Sequence, residues 1–295
     1  MINLIRLTFP KPKSLYNFSI NNMNWTNLSE KTVAITGGAC GIGLAVAKGF
    51  AEVGANVILA DFAEEQGAQA IEEISSLGSG EAVFVRCDVT SKVDVENMIA
   101  TAVERFKRLD VLVNNAGINV PRLLVDPAGK EELTEEIWDQ VFAVNVKGQF
   151  LCAQTAARAM LADGKGGVLV NMSSESGMEG SEGQSVYAAT KAANHNLTRS
   201  WAKELGTQGI RVVGVAPGIM ETTGMRSDAY ESSLAYTRGL TVEQLRANYG
   251  KTSSIPLGRS GKLSEVADLV VYLASDRGSY VHGTTVNISG GKSRG

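Results

Sequence analysis

The sequence has few cysteines and histidines and no excess of basic charge, and each shortage excludes a class of protein. Its three cysteines are scattered through 295 residues without metal-site spacing, which favours reduced thiols in a cytoplasmic protein over disulfides or zinc. With 28 basic and 31 acidic residues the formal charge is -3, so the basic surface that nucleic-acid binding requires is missing. No apolar run approaches the roughly 20 residues of a membrane-spanning helix. We therefore expect no metal, no nucleic acid and no membrane as partner.

The first 27 residues differ from the rest of the chain. They contain Pro10, Pro12 and many asparagines, without a helical or strand period. Residues 1–27 are therefore predicted to be a disordered or loosely docked extension, and Met23 is a candidate start of the natural protein. Residues 28–295 contain no linker, repeat or low-complexity tract, which predicts a single domain.

Short apolar runs alternate with helical periods from residue 31 onward. The runs are continuous Val, Ile, Leu and Ala stretches, as is typical of parallel strands buried on both faces. The predicted strands are Thr32–Thr36, Asn56–Ala60, Ala82–Arg86, Val111–Val113, Val168–Met172, Ile210–Ala216 and Thr284–Ile288. The predicted helices include Gly41–Val53, Glu64–Leu77, Lys92–Phe106, Glu135–Leu161, Ser185–Leu205 and Ser264–Ala274. Repeated β-α-β units predict an α/β fold, a doubly wound, mostly parallel seven-stranded Rossmann sheet with helices on both faces.

Residues 218–261 interrupt this alternation. They follow a strand but contain only two short predicted helices, Asp228–Tyr236 and Thr241–Tyr249. Long insertions in compact domains are usually functional or disordered, and ligands of doubly wound sheets bind beyond the carboxyl ends of the strands. We therefore expect this segment to be a helical substrate lid.

A glycine-rich turn links the first strand to the first helix. Its residues are Gly37, Cys40, Gly41, Ile42 and Gly43. Glycines allow a tight turn and let the backbone approach a pyrophosphate, which the helix N-terminus attracts. Because the turn lies between a strand and a helix, the pattern predicts a dinucleotide site.

Asp61 ends the second strand and Phe62 follows it. A carboxylate at this place can accept hydrogen bonds from both ribose hydroxyls of an adenosine and repels a 2′-phosphate. No arginine or lysine directly follows Asp61, so NAD is favoured over NADP; the alternative role of Asp61 is a helix N-cap. The other strand ends supply further expected cofactor contacts, from Asp88, Val89, Asn115, Ala116 and Gly117.

Tyr187 and Lys191 lie four residues apart in the predicted helix Ser185–Leu205, so they share one helical face. A neighbouring ammonium favours the phenolate and brings the tyrosine pKa towards the range that acid–base catalysis needs. This pair is common on helix surfaces, but two further residues support it. Ser174 ends the preceding strand and can reach the same substrate oxygen, and Asn145 lies within a predicted helix, where asparagine is mildly unfavourable.

Together these motifs resemble those of the short-chain dehydrogenase/reductase family, from about residue 28 to residue 290. The resemblance implies a nicotinamide-dependent oxidoreductase in which Ser174 orients the substrate and Tyr187 is the acid or base. It implies that Lys191 binds the nicotinamide ribose and lowers the pKa of Tyr187, and that Asn145 holds a relay water. It also implies a homotetramer. The residues that it implies at the nicotinamide carboxamide are Pro217, Gly218, Ile219 and Thr222.

Sequence blocks outside these motifs, such as residues 117–126 and 174–185, are similar to those of bacterial family members that act on phosphorylated hexitols. Arginine binds phosphate bidentately, and carboxylates accept hydrogen bonds from sugar hydroxyls. The predicted substrate residues are Arg122, Ser174, Glu179, Glu182, Gln184 and Arg226. Further cations of the lid are Arg238, Arg246 and Lys251.

The expected reaction is NAD-linked oxidation of a small polyol or sugar phosphate, such as sorbitol 6-phosphate, to its 2-keto form. Three alternatives stay open. The first is oxidation of another polyol or sugar, and the second is reduction of a 3-oxoacyl thioester, which predicts NADPH. The third is a dinucleotide-sensing protein without turnover, in which replacement of Tyr187 or Lys191 would be expected; both are present.

Overall fold

The computed structural model describes residues 25–221, 226–250 and 254–293. Strands and helices alternate along these residues, and the predicted α/β fold is confirmed. The strands are β1 (Thr32–Thr36), β2 (Asn56–Asp61), β3 (Ala82–Arg86), β4 (Val111–Asn114), β5 (Gly167–Met172), β6 (Ile210–Pro217) and β7 (Thr285–Ile288). The helices are α1 (Gly41–Glu52), α2 (Glu64–Ile74), α3 (Lys92–Phe106), α4 (Glu135–Phe142), α5 (Gln149–Asp163), α6 (Ser176–Glu179), α7 (Ser185–Leu205), α8 (Asp228–Thr237), α9 (Val242–Gly250) and α10 (Leu263–Ala274).

The seven strands form one parallel sheet in the order β3-β2-β1-β4-β5-β6-β7. Both faces are buried because helices cover each of them. In β1, Val33 and Ile35 belong to the core layer with α1 and α10, whereas Ala34 belongs to the layer with α3 and α5. The direction of strand addition reverses between β1 and β4. The carboxyl ends of these two strands therefore border the crevice in which such sheets bind ligands.

The prediction of one continuous helix over Glu135–Leu161 is wrong, because the structure divides this segment into two α-helices with a π-helical turn between them. Helix α4 ends at Phe142, a π-helical segment covers Ala143–Gly148, and α5 follows. Gly148 lies so close to Val89 that a Cβ at Gly148 would come within 2.7 Å of the valine side chain. Single π-helical turns are rare and are frequently found at functional sites.

Helices α8 and α9 occupy the segment predicted as a lid, at nearly the predicted bounds. Their buried residues Leu234 and Leu245 pack together with Ala235 in a small core separate from the two main layers. The segment is therefore held by its own apolar contacts. Thr222 and Lys251 lie outside the described residues.

Most of the predicted extension, residues 1–24, also lies outside the described part of the chain. The residues that follow contact the turn after α10. The Asn27 side chain donates to Asp276 Oδ2 at 2.7 Å, and Arg277 Nε donates to the Trp25 carbonyl at 3.2 Å. These contacts tie the start of the described chain to the end of the last helix.

In the part of the chain that the structure describes, no helix is long and apolar enough to cross a membrane. The same residues contain no group of three or more His, Cys, Asp or Glu placed to hold a metal ion. Cys40, Cys87 and Cys152 are free thiols, and the last two are buried.

Candidate active site

The glycine-rich turn between β1 and α1 has the geometry of a phosphate cradle. Gly37 and Gly41 adopt positive φ angles of 63° and 56°, which L side chains rarely adopt. A Cβ at Gly43 would overlap the Gly37 carbonyl, so only glycine allows α1 to start so close to the turn. Helix α1 begins after Cys40, and no described side chain caps it. Its first backbone N–H groups are thus available to an anion.

A set of short hydrogen bonds joins this turn to the end of β4. The Thr36 hydroxyl accepts from the backbone N–H groups of Asn115 and Ala116, each at 3.1 Å. The Asn115 amide donates to the carbonyls of Thr36 and Gly37 at 3.0 and 2.9 Å. Asn115 therefore acts within the protein, as a brace that holds the turn against the neighbouring strand.

Asp61 contacts the cradle from the end of β2. Its Oδ2 accepts from the Ala39 N–H at 2.9 Å, and its Oδ1 accepts from the Ala63 N–H at 3.0 Å. Ala63 is the N-cap of α2, so the alternative of Asp61 as the cap itself is wrong. Both carboxylate oxygens keep a second lone pair for ribose hydroxyls.

Arg86 lies beside Asp61, because these residues are paired in the parallel register of β2 and β3. Arg86 is 25 positions away in the chain, so neither the glycine-rich turn nor the residues directly after Asp61 indicate it. The Arg86 guanidinium lies 5.1 Å from the ring centre of Phe62 and pairs with Glu64 at 3.3 Å and Asp94 at 3.2 Å. These two carboxylates oppose its use as a ligand for a 2′-phosphate.

The structure brings most of the predicted cofactor residues around one cavity of about 530 Å³. Of the predicted set, the cavity is lined by Gly37, Cys40, Gly41, Ile42, Asp61, Phe62, Asp88, Val89, Asn115, Ala116 and Gly117. Ile42 and Asn115 also line a second cavity of about 540 Å³, so the two adjoin. The second cavity contains Ser174, Tyr187, Lys191 and the predicted nicotinamide segment Pro217, Gly218 and Ile219.

Asn145 lies in the π-helical segment and is almost completely buried. Its Oδ1 accepts from the Ile118 N–H at 2.8 Å, while its Nδ2 donates to the Ile118 carbonyl at 2.9 Å and to Thr190 Oγ1 at 3.1 Å. Asn145 therefore joins the strand end after β4 to the helix that carries Tyr187 and Lys191. This explains structurally why an asparagine is found at an unfavourable helical position.

Ser174, Tyr187 and Lys191 meet at the entrance to the second cavity. The Ser174 hydroxyl is close enough to Tyr187 to lower the pKa of its phenol, and Lys191 Nζ lies 5.6 Å from the centre of the tyrosine ring. Lys191 also donates to the Met172 carbonyl at 2.9 Å. A substrate oxygen placed beside the Tyr187 phenol is therefore within reach of the serine hydroxyl as well.

The pKa of Tyr187 is raised in the structure, whereas the sequence predicts that Lys191 lowers it. Burial raises the pKa of Tyr187 to about 12, and the hydrogen bond from Ser174 lowers it only in part. Burial also lowers the pKa of Lys191 to about 8. Loss of solvation disfavours the phenolate and the ammonium alike. In this structure, burial raises the pKa of Tyr187 by more than the neighbouring Lys191 was expected to lower it.

The predicted substrate residues are divided between the cavity and the surface. Ser174, Glu179, Glu182, Gln184 and Arg226 line the second cavity. Gln184 is also engaged within the protein, because its side-chain N–H donates to the Tyr230 hydroxyl at 2.8 Å.

Arg122 does not line that cavity and is ion-paired with Glu131. Among the lid cations, Arg246 is paired with Glu231 at 2.6 Å and with Asp228 at 2.8 Å.

Several lining residues escaped the sequence analysis. The sequence marks Arg238 only as a cation of the lid, and no motif marks the remaining residues of this group. They include Asn119, Glu175, Tyr230, Arg238, Tyr249 and Lys292. The sequence signal for Asn119 and Glu175 was the similarity of the blocks that contain them, residues 117–126 and 174–185.

Comparison with known proteins agrees with this geometry. The family profile described as short chain dehydrogenase matches residues 31–233. The chain is 51% identical over 275 residues to a sorbitol-6-phosphate 2-dehydrogenase of Klebsiella pneumoniae, covering 92% of this chain and 99% of that protein. It is 39% identical over 266 residues to a 3-oxoacyl-(acyl-carrier-protein) reductase of Thermotoga maritima, covering 90% and 98%.

A solved structure supports the same assignment. A short-chain type dehydrogenase/reductase from Mycobacterium marinum matches with a TM-score of 0.78 and 35% identity, covering 90% of this chain and 96% of that one. The chain belongs to the short-chain dehydrogenase family and is an oxidoreductase that acts on CH–OH groups.

Proposed function

We propose that this protein oxidises sorbitol 6-phosphate at C2 to fructose 6-phosphate with NAD as the hydride acceptor. The observation that carries the proposal is a pair of arginines, Arg226 and Arg238, in the same cavity as Tyr187. Neither has a carboxylate partner among the described residues, whereas Arg122 and Arg246 do. A dianionic phosphate is the kind of ligand that two such guanidinium groups bind.

The contacts of the two arginines leave donors free for a phosphate. Arg238 donates to the Ser181 hydroxyl at 3.4 Å, which is a long contact. Arg226 donates through one nitrogen to the Met220 carbonyl at 2.7 Å and lies over the Tyr249 ring at 4.1 Å. A guanidinium has five N–H donors, so each group keeps several.

The reaction needs a proton acceptor and a hydride acceptor. A bound nicotinamide dinucleotide supplies the hydride acceptor. The phenolate form of Tyr187 takes the proton of the C2 hydroxyl, and Ser174 donates to the same oxygen. A Cβ built at Gly117 would lie 3.3 Å from Asn145 Oδ1 and 3.5 Å from Lys191 Nζ, so Asn145 and Lys191 are placed on the same side of the site for a proton relay.

NAD rather than NADP is proposed because of the charges around the adenosine ribose. Asp61 presents a carboxylate where a 2′-phosphate would lie. The nearest cation, Arg86, is already paired with two carboxylates. Releasing it for a phosphate would break both ion pairs.

Reduction of a 3-oxoacyl thioester is the second candidate, since one relative of this chain carries that name. Such a substrate needs an exposed apolar channel. Leu234 and Leu245 line the substrate cavity but are almost completely buried, so they offer little apolar surface to an acyl chain. The dinucleotide-sensing alternative leaves the buried Ser174, Tyr187 and Lys191 arrangement without a purpose.

We also propose that the protein is a cytoplasmic homotetramer and that residues 218–261 cover the substrate. The buried free thiols Cys87 and Cys152 suit a reducing compartment. The family resemblance implies that α4, α5 and α7 pair between subunits, and Trp138 of α4 and Phe150 of α5 are 43% and 41% exposed. Large apolar side chains at such exposure mark candidate contact surfaces.

A spectrophotometric screen at about 340 nm tests the reaction, because only the reduced nicotinamide absorbs there. Sorbitol 6-phosphate, sorbitol, other hexitols with and without a 6-phosphate, and a 3-oxoacyl thioester are tested with NAD(H) and NADP(H) in parallel. We expect the highest kcat/KM for sorbitol 6-phosphate with NAD. Equal values for sorbitol and its 6-phosphate would refute the phosphate site, and a lower KM for NADP than for NAD would refute the role of Asp61.

A further inference from the structure

Lys292 reaches the substrate cavity from the end of the chain. Its Nζ lies 2.7 Å from Glu175 Oε1 and 3.6 Å from Glu179 Oε2. All three residues line the cavity that contains Tyr187. We call these three side chains the acid–lysine cluster.

A glycine turn before Lys292 directs the chain towards the cavity. After β7 the chain turns through Gly290 and Gly291, whose φ angles are 64° and 87°. The Lys292 N–H then donates to the Ser289 carbonyl at 3.2 Å. Because only glycine adopts such angles without strain, this turn is specified by the sequence.

The next residue is anchored as firmly. Asn287 donates through its side chain to the carbonyl of Ser293 at 3.0 Å and to its hydroxyl at 2.6 Å. The Ser293 N–H donates to Ser289 Oγ at 3.3 Å, and Ser293 is buried. The lysine is therefore held on both sides along the chain, which an incidental surface charge does not require.

Glu175 places the cluster beside the reacting carbon. It directly follows Ser174, and its backbone N–H donates to the Pro217 carbonyl at 3.0 Å. Its second oxygen, Oε2, lies against Gly218 of the expected nicotinamide segment. Glu175 is only 8% exposed, and Oε2 accepts no hydrogen bond from the described residues. A buried carboxylate oxygen without a donor is costly, so a ligand that donates a hydrogen bond fits this place.

The charge of the cluster determines which ligand it suits. Two carboxylates and one ammonium carry a net charge of one negative, which disfavours a phosphate. Carboxylates accept hydrogen bonds from hydroxyl groups, and the ammonium donates to hydroxyl oxygens. The unpaired arginines Arg226 and Arg238 belong to the lid wall of the same cavity. The cavity therefore contains one group of residues suited to hydroxyls and another suited to a phosphate.

We propose that Glu175, Glu179 and Lys292 form a subsite for the hydroxyl groups next to the reacting carbon. This subsite selects polyhydroxylated substrates over simple secondary alcohols and sets which end of the polyol enters first. The inference rests on the proposed function only in that the substrate is a polyol; it does not require the phosphate.

The test compares substrates as well as variants. Wild type, Lys292→Met and the control Lys165→Met are assayed with sorbitol 6-phosphate, with sorbitol and with deoxy analogues that lack the C1 or the C3 hydroxyl. Lys165 is an exposed lysine outside both cavities, 3.9 Å from Asp163. NADH binding, followed by fluorescence, shows whether the cofactor site stays intact.

We expect Lys292→Met to lower kcat/KM by roughly ten- to a hundredfold on sorbitol and on its 6-phosphate alike, the range for losing a hydrogen bond to a charged group. The loss should shrink to a few-fold on the deoxy analogue that lacks the contacted hydroxyl. Lys165→Met should change none of these values. NADH binding should stay the same in all three proteins.

Three results would overturn the assignment. An unchanged kcat/KM means that Lys292 does not contact the substrate, and an equal loss on every analogue means that its role is structural. A larger loss on the 6-phosphate than on sorbitol makes it a phosphate ligand.

Removing Lys292 alone leaves Glu175 buried without its partner, which can prevent folding. The double variant Glu175→Gln, Lys292→Met removes both charges, and Glu179→Gln changes a more exposed member of the cluster. Both should show the same dependence on the deoxy analogues.

The outcomes also separate this inference from the proposed function. If wild type prefers sorbitol to its 6-phosphate, the phosphate site is wrong, and the Lys292 comparison proceeds on sorbitol and its deoxy analogues. If wild type oxidises no polyol, both proposals fail.

Discussion

Arg238→Met is the most direct test of the phosphate site, because the Arg238 side chain makes few contacts within the protein. Arg238 is half-buried at the end of α8, and its contact with Ser181 at 3.4 Å is too long to contribute much. The substitution removes the charge and keeps a side chain of similar reach. By contrast, replacing Arg226 would also remove its packing on the Tyr249 ring.

The expected magnitude follows from the type of contact. Hydrogen bonds to charged groups contribute about 1.5–3 kcal/mol, and each 1.4 kcal/mol corresponds to about tenfold in kcat/KM. We therefore expect Arg238→Met to lower kcat/KM for sorbitol 6-phosphate by roughly ten- to a hundredfold. The value for sorbitol should change by less than about twofold, since sorbitol carries no group for Arg238 to bind.

The assay measures initial NADH formation with both substrates for Arg238→Met and for two matched arginine variants. Arg122→Met and Arg246→Met remove lid-side cations that already pair with carboxylates, so both should keep the preference for the phosphorylated substrate. An equal loss on sorbitol and its 6-phosphate would show that Arg238 supports the lid rather than the phosphate. A loss for Arg122→Met but not for Arg238→Met would place the phosphate at the opposite side of the lid.

Four further predictions concern the rest of the site. Tyr187→Phe should abolish turnover while NADH still binds, as measured by fluorescence; retained activity contradicts the acid–base role. Asp61→Ala should lower the preference for NAD over NADP by about tenfold or more in kcat/KM, since it removes a ribose contact and a charge. A lasting preference for NAD would place the discrimination elsewhere. Because burial raises the pKa of Tyr187 to about 12 and lowers that of Lys191 to about 8, alcohol oxidation should speed up with rising pH until Lys191 loses its proton; a flat pH profile of kcat/KM contradicts this. Trp138→Glu should reduce the mass seen by light scattering from tetramer to a smaller species, and an unchanged mass excludes that surface.

The proposed catalytic residues could be singled out in the sequence because their signals are local. Tyr187 and Lys191 lie four apart on one helix, Ser174 ends the strand before it, and the glycines of the phosphate turn are contiguous. The structure brings these residues around two adjoining cavities. The π-helical turn around Asn145 was not predictable, because its apolar spacing differs too little from that of an α-helix.

The sequence could not show which of the predicted substrate arginines are free, since the partner of a charged side chain is a property of the fold. Arg122 and Arg246 look like Arg226 and Arg238 in sequence. Only their neighbours in space distinguish a paired arginine from a free one.

The sequence itself determines the order of strands and helices, the glycine-rich turn, and the placing of Tyr187 and Lys191 on one helix. They depend on the hydrophobic period, on the backbone angles that glycine allows and on residue spacing within one element. All three are set by residues close together in the chain. Tertiary structure decided the rest. It placed Arg86 beside Asp61 through the register of β2 and β3, and it brought Lys292 to Glu175 from 117 residues away. The physical reason is that electrostatic contacts depend on distance in space, and chain separation carries no information about that distance until the sheet has formed.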